Sequence, residues 1–228
     1  MTHLDMLLKD KDAILFDIDG TLIDSMGVWG EIDRIYLSRY NIPLPDRLPE
    51  ALAGLSIAQT AAYFREVLGV PESDEKMLSD WNDLAYEQYS RHILPKDDAL
   101  RFVQEVHDRK IPMAVGTSNT RALAETVMRR MGFAGYISCM LTGEDVKTGK
   151  PDPYIYLEAA RLVGADPSRC LVFEDIPEGL LAGQRAGMKT CGVWDLFSSS
   201  KDEEKRAIAD YYIRDFTDIF ENRVEILH

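Results

Sequence analysis

Positive charge is scarce in this chain: 26 Lys and Arg stand against 39 Asp and Glu, a formal net charge of −13 over 228 residues. Such a field repels nucleic acid and anionic membranes, so neither is an expected partner. Cysteine is scarcer still. Cys139, Cys170 and Cys191 share no CxxC or His-paired spacing, which argues against a disulfide framework and for reduced thiols in the cytoplasm. His3, His92, His107 and His228 are scattered without ligand spacing, so none is a catalytic candidate. No uncharged run is long enough to span a bilayer, and the opening MTHLDMLLKDKD lacks the continuous apolar stretch of a secretory signal. Repeats and low-complexity tracts are absent too. A cytoplasmic protein is expected, with a monomer as the default state.

What is present is ordinary globular material, 46% apolar and 29% charged. Short apolar runs at Ala13–Ile18, Met113–Gly116, Cys170–Phe173, Thr190–Val193 and Tyr211–Ile213 read as buried strands. Helical patterns at Ala99–Arg109, Arg121–Met131, Tyr154–Val163 and Glu178–Ala186 alternate with them. That alternation predicts an α/β fold, a Rossmann-like parallel sheet flanked by helices. Gly132 and Gly187 stand where helix C-caps belong, and Asp152-Pro153 reads as an N-cap followed by proline at the first helical position. Between about Met26 and Leu94 the alternation stops. Ile32–Arg39, Ile57–Leu68 and Lys76–Tyr89 are helical and Pro43, Pro45, Pro49 and Pro71 punctuate them. The expected division is therefore residues 1–25 and 95–228 as the α/β core, with 26–94 as a helical insertion.

In open α/β sheets ligands bind beyond the carboxyl ends of the strands. Four polar clusters fall there. The run AILFDIDGT ends in Asp17 and Asp19, which on a strand would share a face. Paired carboxylates at the end of an apolar strand are costly unless a cation lies between them, and oxygen-only ligands select a hard ion such as Mg²⁺. One carboxylate could then serve as nucleophile and the other as general acid/base. Thr117-Ser118-Asn119 offers hydroxyls and N–H groups to phosphate oxygens, although alone it would read as an N-cap. Lys150, within GKPDP, could offset the repulsion between a phosphate dianion and an aspartate. Glu174-Asp175 ends a third apolar run, and a turn at Ile176-Pro177 could bring both acids to the metal. Each cluster has a bland alternative, an acidic turn or a solvated lysine. Together they supply a nucleophile, metal ligands, phosphate donors and one cation.

In this order DxDGT (Asp17 to Thr21), Thr117, Lys150 and Glu174-Asp175 resemble the motifs of the haloacid-dehalogenase-like hydrolases. The branch with phosphoglycolate-phosphatase-like and β-phosphoglucomutase-like enzymes is the most similar, and the likeness runs from about residue 12 to about 220. The resemblance implies that 26–94 is a small α-helical cap. It also implies that Asp17 forms an aspartyl-phosphate, while Asp19 protonates the leaving group, activates water and touches Mg²⁺ through its backbone carbonyl. Thr117 and the Ser118 N–H would bind phosphate, Lys150 would bridge phosphate and nucleophile, and Asp175 would ligate Mg²⁺ with help from Glu174. Ile176 departs from the serine that relatives often carry.

The resemblance leaves phosphatase and mutase to be separated. Sugar-phosphate mutases of this branch carry a cap histidine ten residues past the second aspartate, where this chain has Trp29, and a cap-loop arginine. The comparable loop, Leu52 to Thr60, contains no basic residue. A Mg²⁺-dependent phosphatase acting on a small phosphorylated metabolite is therefore expected, ahead of a phosphomutase or a non-catalytic phosphometabolite-binding protein. Trp29, Tyr36 and Tyr40 could line a substrate pocket, though helical aromatics more often belong to a core. The acidic run Asp202-Glu203-Glu204 between Lys201 and Lys205 reads as a solvated loop or helix start.

Overall fold

The computed structural model describes residues 1–52 and 57–228. The strands are β1 (Ala13–Phe16), β2 (Ile23–Asp24), β3 (Leu94–Pro95), β4 (Met113–Gly116), β5 (Cys139–Leu141), β6 (Cys170–Glu174), β7 (Lys189–Val193), β8 (Tyr211–Ile213) and β9 (Glu225–Ile226). The α-helices are α1 (His3–Leu8), α2 (Val28–Ser38), α3 (Leu48–Leu52), α4 (Ile57–Glu66), α5 (Asp74–Arg91), α6 (Ala99–Asp108), α7 (Arg121–Arg130), α8 (Tyr154–Val163), α9 (Pro177–Arg185), α10 (Asp202–Ile208) and α11 (Thr217–Phe220). The chain divides into two compact units, one of residues 1–26 with 93–228 and one of 27–92.

In the larger unit the sheet order is β5-β4-β1-β6-β7-β8-β9, parallel throughout except for β9, which runs antiparallel to β8 at the edge. β1 is central because its four residues, Ala-Ile-Leu-Phe, are apolar on both faces and all buried. Ala13 and Leu15 pack on one side with Ile155, Tyr156 and Ala159 of α8. Phe16, one residue out of phase with them, joins Phe102, Phe173 and Phe216, all fully buried with ring centroids 5.2–6.4 Å apart. Burying each such ring stabilises the fold by roughly 1.5–3 kcal/mol.

The register decides what lies at the carboxyl edge. Phe16 pairs with Val115 of β4 on one side and with Phe173 of β6 on the other. One residue further along, Asp17 stands beside Glu174, with Thr117 following β4. The expected strand Ala13–Ile18 is thus shorter than read, ending at Phe16. Asp17 stays tied to β6 through its N–H on Phe173 O at 3.0 Å, while Asp19 lies beyond the strand, so the two do not share a strand face. Asp152 also differs from expectation by one position. Pro153, not Asp152, is the N-cap of α8, and the Asp152 carboxylate instead accepts the Tyr154 N–H at 2.9 Å. Gly132 and Gly187 do follow α7 and α9 in the left-handed region, at φ +79° and +77°.

The smaller unit is helical. Tyr36 of α2, Phe64 of α4 and Trp81 of α5 form its aromatic centre, with Tyr36 fully buried. Tyr36 is therefore core, whereas Trp29 is 45% exposed. Part of the uncharged stretch Leu52 to Thr60, namely residues 53–56, lies outside the described residues. Among the described residues, no helix is long and apolar enough to cross a membrane.

Candidate active site

Asp17, Glu174 and Asp175 lie together at the ends of β1 and β6, with a carboxylate oxygen of each within 4.8 Å of the others. They are 6%, 0% and 1% exposed, so their charges cannot be screened by bulk water. Lys150 enters this group from the loop before α8. Its ammonium donates to Asp17 Oδ1 at 2.6 Å and to Glu174 Oε1 at 2.5 Å, with only 4% of the side chain exposed. The lysine was a weak candidate in the sequence, because lysines are mostly solvated. Here it is the cation of the cluster.

Glu174 is held on every side. Besides Lys150 it accepts the Tyr156 hydroxyl at 2.6 Å and, through Oε2, the Asp175 N–H at 3.2 Å. Gly179 gives it room, since a Cβ there would lie 2.0 Å from its carboxyl group. Asp175 follows the last residue of β6, and α9 begins at Pro177, so the chain turns between the two acids and both can face one point. Asp175 Oδ1 accepts the Thr21 hydroxyl at 3.3 Å, while Oδ2 is buried with no hydrogen-bond partner among the described residues. Gly20 packs against that carboxylate at φ +79°, where a Cβ would come within 2.2 Å of Oδ2. Only glycine satisfies both conditions at this turn.

The electrostatics follow from these contacts. Burial pushes the Asp17 carboxyl up to about 8, with the charges of Glu174 and Asp19 adding to the shift and Lys150 opposing it. Asp175 is raised well above the usual carboxylate range, by burial first and then by Asp17, Glu174 and Asp195. Burial by itself would lower Lys150, but Asp17 and Glu174 outweigh it and hold the ammonium charged. One lysine does not neutralise three carboxylates. The uncompensated negative charge, the oxygen-only donor set and the orphaned Asp175 Oδ2 fit a hard divalent cation such as Mg²⁺.

Asp19 is not one of the three carboxylates that converge, though its charge acts on Asp17, and it is half-buried. Its carboxylate accepts Ser25 Oγ at 2.7 Å and Asn119 Nδ2 at 3.0 Å, from two different segments. Thr117 is buried just past β4, and its hydroxyl accepts the Asn119 N–H at 3.1 Å; the neighbouring Ser118 is exposed. The structure thus joins Asp17, Lys150, Glu174 and Asp175 directly, and links Asp19 to the Thr117–Asn119 turn through Asn119. Sequence reasoning did not single out Tyr156, Gly179 or Ser25. Tyr156 reaches Glu174 from α8, 18 residues away in the chain, and Gly179 makes room for it from α9; neither a core aromatic nor a helical glycine carries a local signal of that role.

Comparison with known proteins bears on this arrangement. A family model described as haloacid dehalogenase-like hydrolase matches residues 14–193. Validoxylamine A 7'-phosphate phosphatase of Streptomyces hygroscopicus subsp. limoneus is 29% identical over 216 residues, covering 90% of this chain and 94% of its own. Fructose-1-phosphate phosphatase YqaB of Escherichia coli (strain K12) is 30% identical over 191 residues, covering 79% of this chain and 95% of its own. A solved structure from Thermotoga maritima, provisionally named a β-phosphoglucomutase, superposes with a TM-score of 0.83 at 25% identity. It covers 92% of this chain and 97% of its own.

Proposed function

The chain belongs to the haloacid dehalogenase-like hydrolase family, and from that premise we propose that it is a Mg²⁺-dependent phosphatase of small phosphorylated metabolites, sugar phosphates foremost. The two relatives matched by sequence are phosphatases, and the chain is a phosphoric monoester hydrolase. The observation that carries the mechanism is the buried contact of Lys150 with both Asp17 and Glu174. Asp17, Glu174 and Asp175 would hold the cation, with the Asp19 backbone carbonyl as a further ligand. When bound, Mg²⁺ supplies the positive charge that keeps Asp17 ionised and attracts phosphate oxygens.

Asp17 attacks phosphorus through a carboxylate oxygen, the ester oxygen leaves, and an aspartyl-phosphate forms. Lys150 offsets the repulsion between that carboxylate and the phosphate dianion, as a fixed charge in a water-poor site. The Thr117 hydroxyl and the Ser118 N–H bind phosphate oxygens. Asp19, presented by Ser25 and Asn119, gives its proton to the leaving oxygen and then removes one from the water that hydrolyses the acyl-phosphate. The helical segment 26–94 serves as the cap that selects the substrate. Three unpaired thiols support a cytoplasmic setting. Trp29 and the loop Leu52–Thr60, free of basic residues, speak against the phosphomutase alternative.

The test is phosphate release from sugar monophosphates, phosphoglycolate, nucleotides and pyridoxal phosphate, with Mg²⁺ and with EDTA. Metal-dependent release that is abolished in Asp17→Asn is the expected outcome. Release unaffected by EDTA, or by loss of Asp17, would sink the mechanism.

A further inference from the structure

Asp175 has an unusual backbone environment. β6 ends at Glu174, so the sheet ladder satisfies neither main-chain group of Asp175, yet the residue is 1% exposed. Buried N–H and C=O groups need partners. The N–H goes to Glu174 Oε2 at 3.2 Å, and the carbonyl accepts the Ser198 hydroxyl at 2.8 Å. The peptide planes on either side of Asp175 are thus each held by a side chain. Meanwhile one of its own carboxylate oxygens, Oδ2, has no partner among the described residues.

Ser198 is aimed by a second residue. Lys205, in α10, is fully buried and donates to Ser198 Oγ at 3.1 Å. An ammonium can only donate. It therefore occupies an acceptor position on Oγ and leaves the Ser198 proton to point onward, at the Asp175 carbonyl. Lys205 is itself fixed by Val193 O at 3.3 Å and by Asp202 Oδ1 at 3.0 Å, and Asp202 also accepts the Tyr212 hydroxyl. The loop between β7 and α10 has an independent anchor, where Lys96 pairs with the buried Asp195 at 2.7 Å. The mechanism above uses none of these groups.

We propose that Ser198, oriented by the buried Lys205, is a positioning residue that holds Asp175 for the divalent cation. The inference rests on reading Asp175 as a ligand of that cation. Its chemistry is geometric: the hydroxyl restricts rotation about the Asp175–Ile176 peptide, so the free carboxylate oxygen is presented to the site before the ion arrives. Preorganisation of this kind is read as affinity.

The experiment is isothermal titration of the purified full-length protein with Mg²⁺ for wild type, Ser198→Ala, Ser198→Thr and Asp175→Asn. Loss of one hydrogen bond of ordinary strength predicts about fivefold weaker Mg²⁺ binding in Ser198→Ala. Ser198→Thr, which keeps the hydroxyl, should stay close to wild type. In turnover assays the apparent constant for Mg²⁺ should rise in Ser198→Ala, with kcat at saturating metal nearly unchanged. Should Ser198→Ala precipitate, Ser198→Cys keeps the volume with a weaker donor, and the same criterion applies. Wild-type binding that Asp175→Asn abolishes and Ser198→Ala leaves unchanged overturns the role of Ser198 alone. A Ser198→Thr protein as weak as Ser198→Ala marks a packing effect and also overturns it. Failure of the wild type to bind Mg²⁺, or unchanged binding in Asp175→Asn, overturns the metal reading and this proposal together.

Discussion

Replacing Asp17 by asparagine should abolish turnover and at the same time stabilise the metal-free protein. Both effects come from the same burial. In the unfolded chain an aspartate ionises near pH 4; in the folded, metal-free site Asp17 does so only at about 8. Between these values the native state binds a proton that the unfolded state has released. Stability of the metal-free protein therefore falls as pH rises from about 4 to about 8 and levels off above it. At pH 7 the difference amounts to about 4 kcal/mol, taking 1.36 kcal/mol per unit. Asparagine never ionises and escapes this cost, and the value of about 8 already contains the pull of Lys150 on the carboxylate. A gain of up to about 4 kcal/mol follows, or about 8–16 °C in melting temperature for a chain of this size. Thermal unfolding in EDTA, followed by circular dichroism at pH 7.5 and at pH 4.5, reads it out. The gap should be wide at pH 7.5 and shrink towards pH 4.5. An Asp17→Asn protein no more stable than wild type at pH 7.5, or a gap that ignores pH, would refute the account of the site's charge.

Three further outcomes follow from the same geometry. Lys150→Ala removes the fixed cation facing the phosphate and should lower kcat/KM by about 10²–10³-fold in phosphate-release kinetics, the usual loss for one preorganised electrostatic group. Gly179→Ala would place a methyl group 2.0 Å from the Glu174 carboxyl; denaturant unfolding should show about 1–3 kcal/mol lost to overpacking, with Mg²⁺ affinity lowered alongside. Phe173→Ala empties the centre of the Phe16–Phe102–Phe216 cluster and should cost about 3–5 kcal/mol of stability, while phosphate release by the protein that stays folded is largely kept.

Much of this molecule is legible in one dimension. Apolar runs bounded by turn residues marked β1, β4, β6, β7 and β8 within two residues, since buried parallel strands need both faces apolar. Tyr154–Val163 coincides with α8, because its periodicity is a local signal. Asp17, Lys150, Glu174 and Asp175 could be chosen from sequence because each is a polar intrusion at the end of an apolar run or beside a rigid proline. What escaped was whatever depends on distant partners. β5 is a half-exposed strand of three residues whose identity comes only from pairing with β4. Tyr156 reads as a core aromatic until its hydroxyl is seen on Glu174. Lys205 closes an acidic run that reads as a solvated loop or helix start; α10 does begin at Asp202, yet the Lys205 side chain is buried against Asp202, Val193 and Ser198. Sequence by itself determined the order of elements and the chemistry available at the strand ends, since periodicity and residue type are local. Tertiary structure alone decided that β1 stops at Phe16, that Glu174 and Asp175 converge, and which buried groups hold them, because register and close packing join residues far apart in the chain.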